Sequence, residues 1–269
     1  MKENSYYLME SADEIFRLEL KTDPEKVRYQ ARLCGIGPGQ KILDVGCGTG
    51  KTSSILFELS KPEGEVLGID FSKERVAYAR DHYADKVGLS FQECDLLGPL
   101  DDLGNYDLIW VRFFLEYFRK ESFEIVKKLT RILKPAGTLC LIDLDYNCLN
   151  HYELDYPVEN LLKKLISILE KKHNFDPYVG RKLYSYLYDL GYKNIKVALE
   201  AHHLIYGEIE DKDIFNQMKK LETVSEKVPE IYEDYPGGAK AYFNYINTFL
   251  KNPRRFTYTP SILCTGTKP

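Results

Sequence analysis

The sequence predicts an α/β fold built on a doubly wound, mostly parallel sheet. A short apolar strand over 41–45 runs into alternating glycines, and a helical pattern follows over 51–60. A second strand pattern over 65–70 ends on a carboxylate about 20 residues after the glycines, as in nucleoside-binding folds. Strand and helix patterns then alternate up to residue 145, which is typical of parallel strands joined by crossover helices.

The turn after the first strand has the properties of a ligand site. Gly46, Gly48 and Gly50 have no Cβ atoms, so the backbone can adopt positive φ angles and a ligand can approach the peptide planes. The helix predicted from Lys51 directs its free N–H groups towards the same crevice. Ligands of open α/β sheets bind in this crevice, at the carboxyl ends of the strands.

Residues beside the turn distinguish three kinds of nucleotide site. A Walker A loop requires glycine where this sequence has Val45, so that kind of site is excluded. A dinucleotide site prefers Gly-x-Gly-x-x-Gly, whereas the three glycines here are each separated by a single residue. Asp44 would repel a pyrophosphate, but its charge suits a ligand that carries an ammonium and a sulfonium.

Carboxylates also accompany the ends of the next two predicted strands. Asp70 lies where a nucleoside-binding fold places its ribose ligand. Its alternative role is to cap the helix that starts at Ser72, although Ser72 can cap that helix by itself. Asp95 comes at the end of an alternating strand pattern, and two more strands are predicted over 106–113 and 133–143.

The segment 44–50, Asp-Val-Gly-Cys-Gly-Thr-Gly, resembles motif I of the class I S-adenosylmethionine-dependent methyltransferases. The segment 133–139 resembles the family's Leu-Lys-Pro-Gly-Gly-x-Leu, with Ala136 in place of a glycine. Five such motifs in the family's order over 41–145 carry the resemblance. It implies a seven-stranded Rossmann-like sheet with an antiparallel final pair, S-adenosyl-L-methionine as the cofactor, and methyl transfer as the activity.

The resemblance also implies which residues bind the cofactor. Asp95 would bind the adenine amino group with Leu96 packed on the ring, and Asp70 would bind the ribose hydroxyls. The segment before the first strand often supplies an aromatic lid and a base for the methionine carboxylate, and ordinary packing is the alternative role there. The predicted set is Asp44, Gly46, Cys47, Gly48, Gly50, Asp70, Phe71, Asp95, Leu96, Arg112, Tyr7 and Arg17, with Tyr6 as a further lid candidate.

Helical patterns elsewhere predict elements that surround the sheet. Capping and proline signals predict helices from Ser11 and from Asp23-Pro24, and amphipathic periodicity predicts others from Pro157, from Asp176-Pro177, over 212–227 and over 239–251. Strands are expected over 193–199 and 254–265, with Pro260 at an edge or a bulge. The predicted organisation is N-terminal helices over 1–40, a cofactor-binding unit over 41–200 plus 253–269, and helical cap insertions over 146–175 and 205–252.

The cap is expected to select the acceptor, because methyl transfer by in-line displacement needs alignment and exclusion of water rather than a nucleophilic side chain. An oxygen acceptor must lose a proton, and His151, His202 and His203 are candidate general bases. The adjacent histidines 202 and 203 lie on or near a strand end, so at most one faces the site if the chain stays extended.

Two other polar groups follow predicted strands at the rim of the site. Arg112 can orient an anionic acceptor, or it can pair with Glu116 one turn further on. Asp143 and Asp145 share one face and can bind a polar substrate, but two carboxylates alone do not predict a metal site. No single catalytic residue is assigned, and Arg112, His202 and His203 remain the candidates.

Charge and cysteine content limit the partners and the compartment. Basic residues number 37 against 41 acidic ones, in runs of no more than two, so nucleic acid is not an expected partner. No apolar run reaches the roughly 18 residues of a membrane span, and the first residues lack a signal peptide's apolar region. The six cysteines form no Cys-x-x-Cys pair, so neither a zinc cluster nor a disulfide framework is expected. This pattern predicts a protein of the reducing cytoplasm.

The sequence therefore predicts a methyltransferase that modifies an O, N or C atom of a small molecule, as a monomer or homodimer. Two alternatives remain at this point. A catalytically silent S-adenosylmethionine-binding module would carry the same cofactor motifs, and an NAD-dependent oxidoreductase would share the α/β core but not the glycine spacing.

Overall fold

The computed structural model describes residues 14–146 and 150–269. The predictions for Tyr6, Tyr7 and the start of the first helix lie outside these residues, as does Cys148. Two helices, α1 (Glu14–Lys21) and α2 (Pro24–Leu33), precede the sheet. Asp23 caps α2 by accepting a hydrogen bond from the Glu25 N–H, as the Asp-Pro signal predicts.

The first half of the sheet alternates strands and helices. Its elements are β1 (Lys41–Val45), α3 (Lys51–Ser60), β2 (Glu65–Asp70), α4 (Lys73–His82), β3 (Leu89–Glu93), β4 (Tyr106–Arg112), α5 (Ser122–Arg131) and β5 (Leu133–Leu144). The second half holds β6 (Asn150–His151), α6 (Tyr156–Lys172), α7 (Leu183–Asp189), β7 (Lys193–Tyr206), α8 (Asp211–Lys227), α9 (Gly238–Lys251) and β8 (Phe256–Thr267). Short 3-10 turns lie at 101–103, 115–117, 179–182 and 229–232.

The strands form one eight-stranded sheet in the order β3-β2-β1-β4-β5-β8-β6, with β7 paired to β8. Strands β1 to β5 are parallel, and β8 runs antiparallel to both β5 and β7. The α/β fold class and the antiparallel final pair are confirmed. Among the described residues there are eight strands rather than seven, because the two-residue β6 pairs with one end of β8 and β5 with the other. β6 thus continues the line of β5.

The parallel strands are buried on both faces, which explains their continuous apolar runs. In β4, Ile109 and Val111 belong to a cluster on the face that α5 and α7 cover, whereas Leu108 and Trp110 belong to a cluster under α2, α3 and α4. This alternation follows from the two-residue period of a strand. A third apolar cluster joins α6, α8 and α9.

Several predicted boundaries are wrong where tertiary contacts override local patterns. Strand β3 ends at Glu93, so Asp95 lies in the following turn, and α7 begins at Leu183 rather than at Asp176. Strand β7 continues to Tyr206 because β8 pairs along its whole length. Pro260 lies in an interior strand, opposite a bulge in β7, so the predicted bulge is confirmed and the edge position is not.

The expectation of no disulfide is also wrong. Cys34, after the end of α2, forms a disulfide with Cys140 in β5, and their Cα atoms are 6.1 Å apart. The two cysteines are 106 residues apart, so no local spacing could have revealed the pair. Cys47, Cys94 and Cys264 are free. Within the described part of the chain, no helix combines the length and apolar character that a bilayer crossing requires.

Candidate functional site

The glycine turn between β1 and α3 adopts the backbone conformation that the sequence predicts. Gly46, Gly48 and Gly50 have φ angles of 71°, 56° and 84°. A Cβ atom at Gly46 would lie 2.5 Å from the Phe114 ring, and one at Gly48 would lie 3.2 Å from Leu18 of α1. Glycine is therefore needed at position 46 for packing, while at position 48 it keeps open the space between the turn and α1.

Asp70 connects the glycine turn to the end of β2. Its Oδ1 accepts hydrogen bonds from the Ser72 N–H and from the Arg75 guanidinium, and its Oδ2 accepts one from the Gly48 N–H at 2.9 Å. Ser72 caps α4 through its own hydroxyl, so capping does not require Asp70. A carboxylate oxygen has two lone pairs, and Oδ2 therefore keeps one acceptor position towards the cavity beside it.

Asp44 lies beneath the turn, not in the wall of that cavity. Ser53 of α3 donates a hydrogen bond to its Oδ2 at 2.6 Å. Burial raises the pKa of Asp44 to about 7, although the Ser53 hydrogen bond and the charge of Arg112 oppose this shift. The carboxyl group is thus poised between its neutral and charged forms near neutral pH, and a nearby cationic ligand would favour the charged form.

A first cavity of about 110 Å³ lies over the carboxyl ends of β3, β2, β1 and β4. Eight of the predicted cofactor residues line it, namely Gly46, Cys47, Gly48, Asp70, Phe71, Asp95, Leu96 and Arg112. Gly50 lies behind the turn against Phe91, and Arg17 lies elsewhere. Half-exposed Phe71 and buried Leu96 offer apolar surface for a planar base near Asp95. These residues fit an adenosine group, because the carboxylates for the base and the ribose lie at the carboxyl ends of adjacent strands, Asp95 in the turn after β3 and Asp70 at the end of β2.

Arg112 ends β4 at the opposite end of this first cavity. Its Nε donates to the Gln30 side chain, whose amide group in turn donates to Glu200. This pairing replaces the predicted alternative of an ion pair between Arg112 and Glu116. Burial lowers the pKa of Arg112 to about 10, so the guanidinium stays charged at neutral pH. It also lies 4.1 Å from the centroid of the Phe113 ring.

The turn after β4 is held by Asp143, which is fully buried at the end of β5. Its Oδ2 accepts hydrogen bonds from the successive N–H groups of Phe114, Leu115 and Glu116. Phe113 adopts a positive φ of 54° just before this turn, a costly conformation for an aromatic residue. Burial and the nearby Glu116 carboxylate raise the pKa of Asp143, against these hydrogen bonds.

Asp145 and Asp143 do not form a joint site. Asp145 pairs with Arg181 at 2.7 Å, whereas Asp143 is occupied by backbone N–H groups. Over residues 14–146 and 150–269, the structure shows no cluster of three or more side chains suited to a metal ion.

A second cavity of about 100 Å³ lies over the ends of β4, β5 and β7. Its walls come from the turn after β4, from α1 and from α6, α8 and α9. Most of its lining is apolar, including Leu162, Leu165, Leu169, Phe175, Ile246 and Phe249. The helices that the sequence predicts as a cap thus enclose this second cavity.

Two of the predicted histidines line the second cavity, and the third contacts one of them. His202 lines it with its ring 4.5 Å from that of Phe113, and His151 lines it while its Nδ1 contacts the Thr257 hydroxyl. His203 contacts His202 through a ring distance of 4.2 Å, because the bulge in β7 brings the two neighbours together. Burial lowers the pKa values of His202 and His203 well below 6.5, so both rings are neutral.

Arg17 also lines the second cavity, where its guanidinium forms a two-pronged ion pair with Glu14 at 2.6 Å. The structure does not bring Arg17 to the first cavity, where it was expected to bind the methionine carboxylate of the cofactor. An arginine on the first helix could reach either cavity, and only the rotation of α1 decides between them.

Three described residues line both cavities, namely Lys21, Phe113 and Tyr117. Phe113 ends a predicted strand, but none of the three was assigned a role from the sequence. The ammonium of Lys21 lies 5.9 Å from the centroid of the Phe113 ring. No motif marks Lys21 or Tyr117, because their position results from how α1 and the turn after β4 meet in space.

Comparisons with known proteins agree with this arrangement. Residues 36–222, well over half of the chain, match the family described as a methyltransferase domain, so the chain belongs to this family of class I methyltransferases. S-Adenosylmethionine is accordingly its cofactor. The demethylmenaquinone methyltransferase of Lactococcus lactis is 27% identical over 208 residues, which cover 76% of this chain and 71% of that protein. The chain spans about half the length of other curated relatives that it matches, at 44% to 47%.

Solved structures share the fold at low identity. The phosphoethanolamine N-methyltransferase 2 of Haemonchus contortus, in complex with S-adenosyl-L-methionine, has a TM-score of 0.57 and 14% identity over 99% of this chain and 58% of that one. The [4+2]-cyclase SpnF has a TM-score of 0.54 and 17% identity over 91% of this chain and 81% of that one. The fold is therefore shared by proteins that are described by different reactions.

Proposed function

We propose that the protein transfers a methyl group to an O, N or C atom of a small-molecule acceptor by in-line displacement. We assign the first cavity to the cofactor and call it the cofactor cavity. The observation that carries the proposal is that this cavity and the apolar second cavity share the lining residues Lys21, Phe113 and Tyr117. S-Adenosylmethionine supplies a methyl group on a sulfonium. The walls of the two cavities align the acceptor with that group and exclude water from it.

The strand order supports this assignment of the two cavities. Asp95 follows β3 and Asp70 ends β2, so the adenosine end of the cofactor belongs on that side of the sheet. Arg112 ends β4 on the other side, where a cation suits the methionine carboxylate or an anionic acceptor. The second cavity begins beyond β4, which places the acceptor next to the end of the cofactor that carries the methyl group.

The apolar lining of the second cavity favours an acceptor with a large apolar part. Demethylmenaquinone, the acceptor named for several relatives, is therefore one compound for the acceptor screen. The acceptor atom stays a prediction. The same holds for the absence of a nucleic-acid partner, for a monomeric or homodimeric state and for a location in the cytoplasm. So does the division of the chain into N-terminal helices, cofactor-binding unit and cap.

The second candidate is a protein that binds the cofactor without transferring its methyl group. The shared fold of the [4+2]-cyclase favours keeping this candidate, because that protein is named for a different reaction. Formation of S-adenosylhomocysteine with any acceptor of the screen would decide against it.

Calorimetric titration tests the cofactor half of the proposal. Purified protein is titrated with S-adenosylmethionine, S-adenosylhomocysteine and NAD, beside the Asp70→Ala variant. We expect micromolar binding of the first two ligands, none of NAD, and at least about tenfold weaker binding by the variant, since charged hydrogen bonds to the ribose are lost. Absence of binding to the intact protein would overturn the proposal, and tight binding of NAD would favour an oxidoreductase.

A further inference from the structure

Lys21 is the basic side chain at the junction of the two cavities. It is the last residue of α1, and it lines the cofactor cavity and the second cavity together with Phe113 and Tyr117. Within the described parts of the chain, its ammonium forms no hydrogen bond or ion pair, and its nearest aromatic group is the Phe113 ring at 5.9 Å. A polar group that meets both cavities without a fixed partner can respond to a ligand in either.

The charges around Lys21 disfavour its protonated form. Burial, and after it the neighbouring cation Arg17, lower the pKa of Lys21 to about 7, against a smaller opposing effect of Glu14. Lys220 on α8 lowers the pKa of Lys21 as well, and Glu116 after β4 raises it. Arg112 at the end of β4 and the neutral His202 on β7 also line the cavities that Lys21 lines. At pH values above about 7, the Lys21 amine is therefore mostly uncharged and can accept a proton.

The second cavity limits what can lie beside this amine. Its far walls are Leu162, Leu165 and Phe249, so the body of the acceptor must be apolar. The charged side chains of its lining, Arg17, Lys220 and Glu116, already interact with other groups of the chain, so a neutral acceptor leaves none of these charges unpaired. The combination fits a molecule with one weakly acidic hydroxyl on an apolar framework.

We propose that Lys21 accepts the proton of a phenolic or enolic hydroxyl on an apolar acceptor held in the second cavity. This inference rests on the proposed function, since it names the acceptor class and the proton acceptor of the same site. The acceptor oxygen loses its bond to hydrogen and gains a bond to the methyl carbon, while the carbon–sulfur bond breaks and its electron pair stays on sulfur. The proton goes to Lys21 Nζ, so no further reactant is needed.

His202 is the competing proton acceptor, because it lines the same cavity and was a candidate from the sequence. It does not reach the cofactor cavity, whose lining includes Lys21 but not His202. The two residues also predict different pH dependence. The pKa of His202 lies well below 6.5, so a histidine base would give a rate that no longer rises as pH passes through 7.

The first test is the binding of 4-hexylphenol to protein saturated with S-adenosylhomocysteine, at pH 8. Ultraviolet difference spectra report whether the bound probe is phenol or phenolate, and calorimetry in two buffers reports protons released to solution. The ordinary pKa of a phenol is about 10, above that of Lys21, and the buried ammonium–phenolate pair offsets this difference only in part. We therefore expect a detectable fraction of phenolate rather than full conversion, with no proton released because Lys21 takes it. In the Lys21→Arg variant, any phenolate formed must release an equal number of protons, since arginine cannot accept one. Lys163→Met, on the exposed face of α6, is the control and should match the wild type.

The outcomes separate this inference from the proposed function. If S-adenosylhomocysteine itself does not bind, the proposed function fails. If it binds but 4-hexylphenol does not, or the bound probe stays neutral, the inference about Lys21 and the acceptor class is overturned. Proton release that is the same in wild type and Lys21→Arg would also overturn it.

Kinetics give an independent readout once the screen provides a hydroxyl acceptor. We expect kcat/KM to rise about tenfold per pH unit below pH 7 and to level off above it, following the free amine of Lys21. Lys21→Arg should lose about 10²–10⁴-fold in kcat, with S-adenosylhomocysteine still bound. A wild-type profile that is flat from pH 6 to 8 would assign the proton to another group.

Discussion

Asp70 is the residue on which cofactor affinity is expected to depend most directly. Its Oδ2 keeps one acceptor position beside the bond from the Gly48 N–H, and an amide at this position would present a weaker, uncharged acceptor. We expect Asp70→Asn to weaken S-adenosylhomocysteine binding by roughly tenfold or more. Asp85→Asn on the exposed surface is the matched control, and equal affinities of both variants in calorimetry would contradict the role of Asp70.

Asp44 is expected to make stability depend on pH. Burial raises its folded pKa to about 7, above the ordinary value of 3.8, so the folded state holds a proton that the unfolded state has lost between these pH values. The free energy of unfolding contributed by Asp44 therefore falls as pH rises from about 4 to 7 and is constant above 7.

The Asp44→Asn variant isolates this effect, because its amide oxygen can still accept the hydrogen bond from Ser53. The quantity to compare is the free energy of unfolding of the variant minus that of the wild type. This difference should be about 1 kcal/mol or more larger at pH 8 than at pH 5. Urea denaturation at the two pH values measures it. An unchanged difference between the two proteins would show that Asp44 does not titrate in this range.

Tyr242 is a buried hydroxyl beside the second cavity, and its oxygen has no hydrogen-bond partner among the described residues. An unpaired buried hydroxyl costs free energy, so removing it should not destabilise the protein. We expect Tyr242→Phe to keep or raise the melting temperature. Tyr232→Phe, which loses a hydroxyl that contacts Ser225, is the comparison and should lower it. A clear loss of stability in Tyr242→Phe would reveal a bound water or another partner.

Single site residues were predictable from sequence where a motif fixes them. The glycines, Asp70 and Asp95 follow strands directly, and a parallel sheet brings such positions to one edge. Arg17, Lys21 and Tyr117 could not be assigned in this way. Their placement depends on the rotation of α1 and on the turn after β4, which are set by packing rather than by local periodicity.

At the scale of elements, the turn after β4 depends on one carboxylate from β5. Asp143 accepts hydrogen bonds there from the backbone N–H groups of residues 114 to 116. Its removal would leave these donors without that partner. We expect Asp143→Ala to lower the free energy of unfolding by about 3 kcal/mol or more. Asp143→Asn can keep its oxygen towards the same donors, so it should cost less. Equal losses in urea denaturation would contradict this account.

Elements with strong periodicity were predicted well, including α2, α3, α6, α8 and α9. The errors lie where one strand takes its length or shape from another. β7 extends past residue 199 and bulges at His202 because β8 continues beside it, and neither feature is encoded in the alternation of β7 itself. The short β6 has no sequence signature, because two residues carry no period.

Across the whole molecule, the order of the strands arranges the proposed reaction along one edge of the sheet. In this proposal the base, the ribose and the methionine end of the cofactor lie after β3, β2 and β4, and the apolar second cavity continues over β5 and β7. The first part was predictable from sequence motifs at the ends of the strands. The second part is built by helices whose amphipathic patterns predict burial but not which small molecule they enclose.

Helix α1 forms part of both cavities, through Leu18 in the first, Arg17 in the second and Lys21 in both. Its backbone is also joined to α3, because the Lys51 ammonium donates to the Glu19 carbonyl. A ligand that stabilises this helix in one position prepares the wall of the other site. The binding of the two ligands is then thermodynamically coupled. If the bound cofactor raises the affinity for the acceptor by some factor, the bound acceptor must raise the affinity for the cofactor by the same factor.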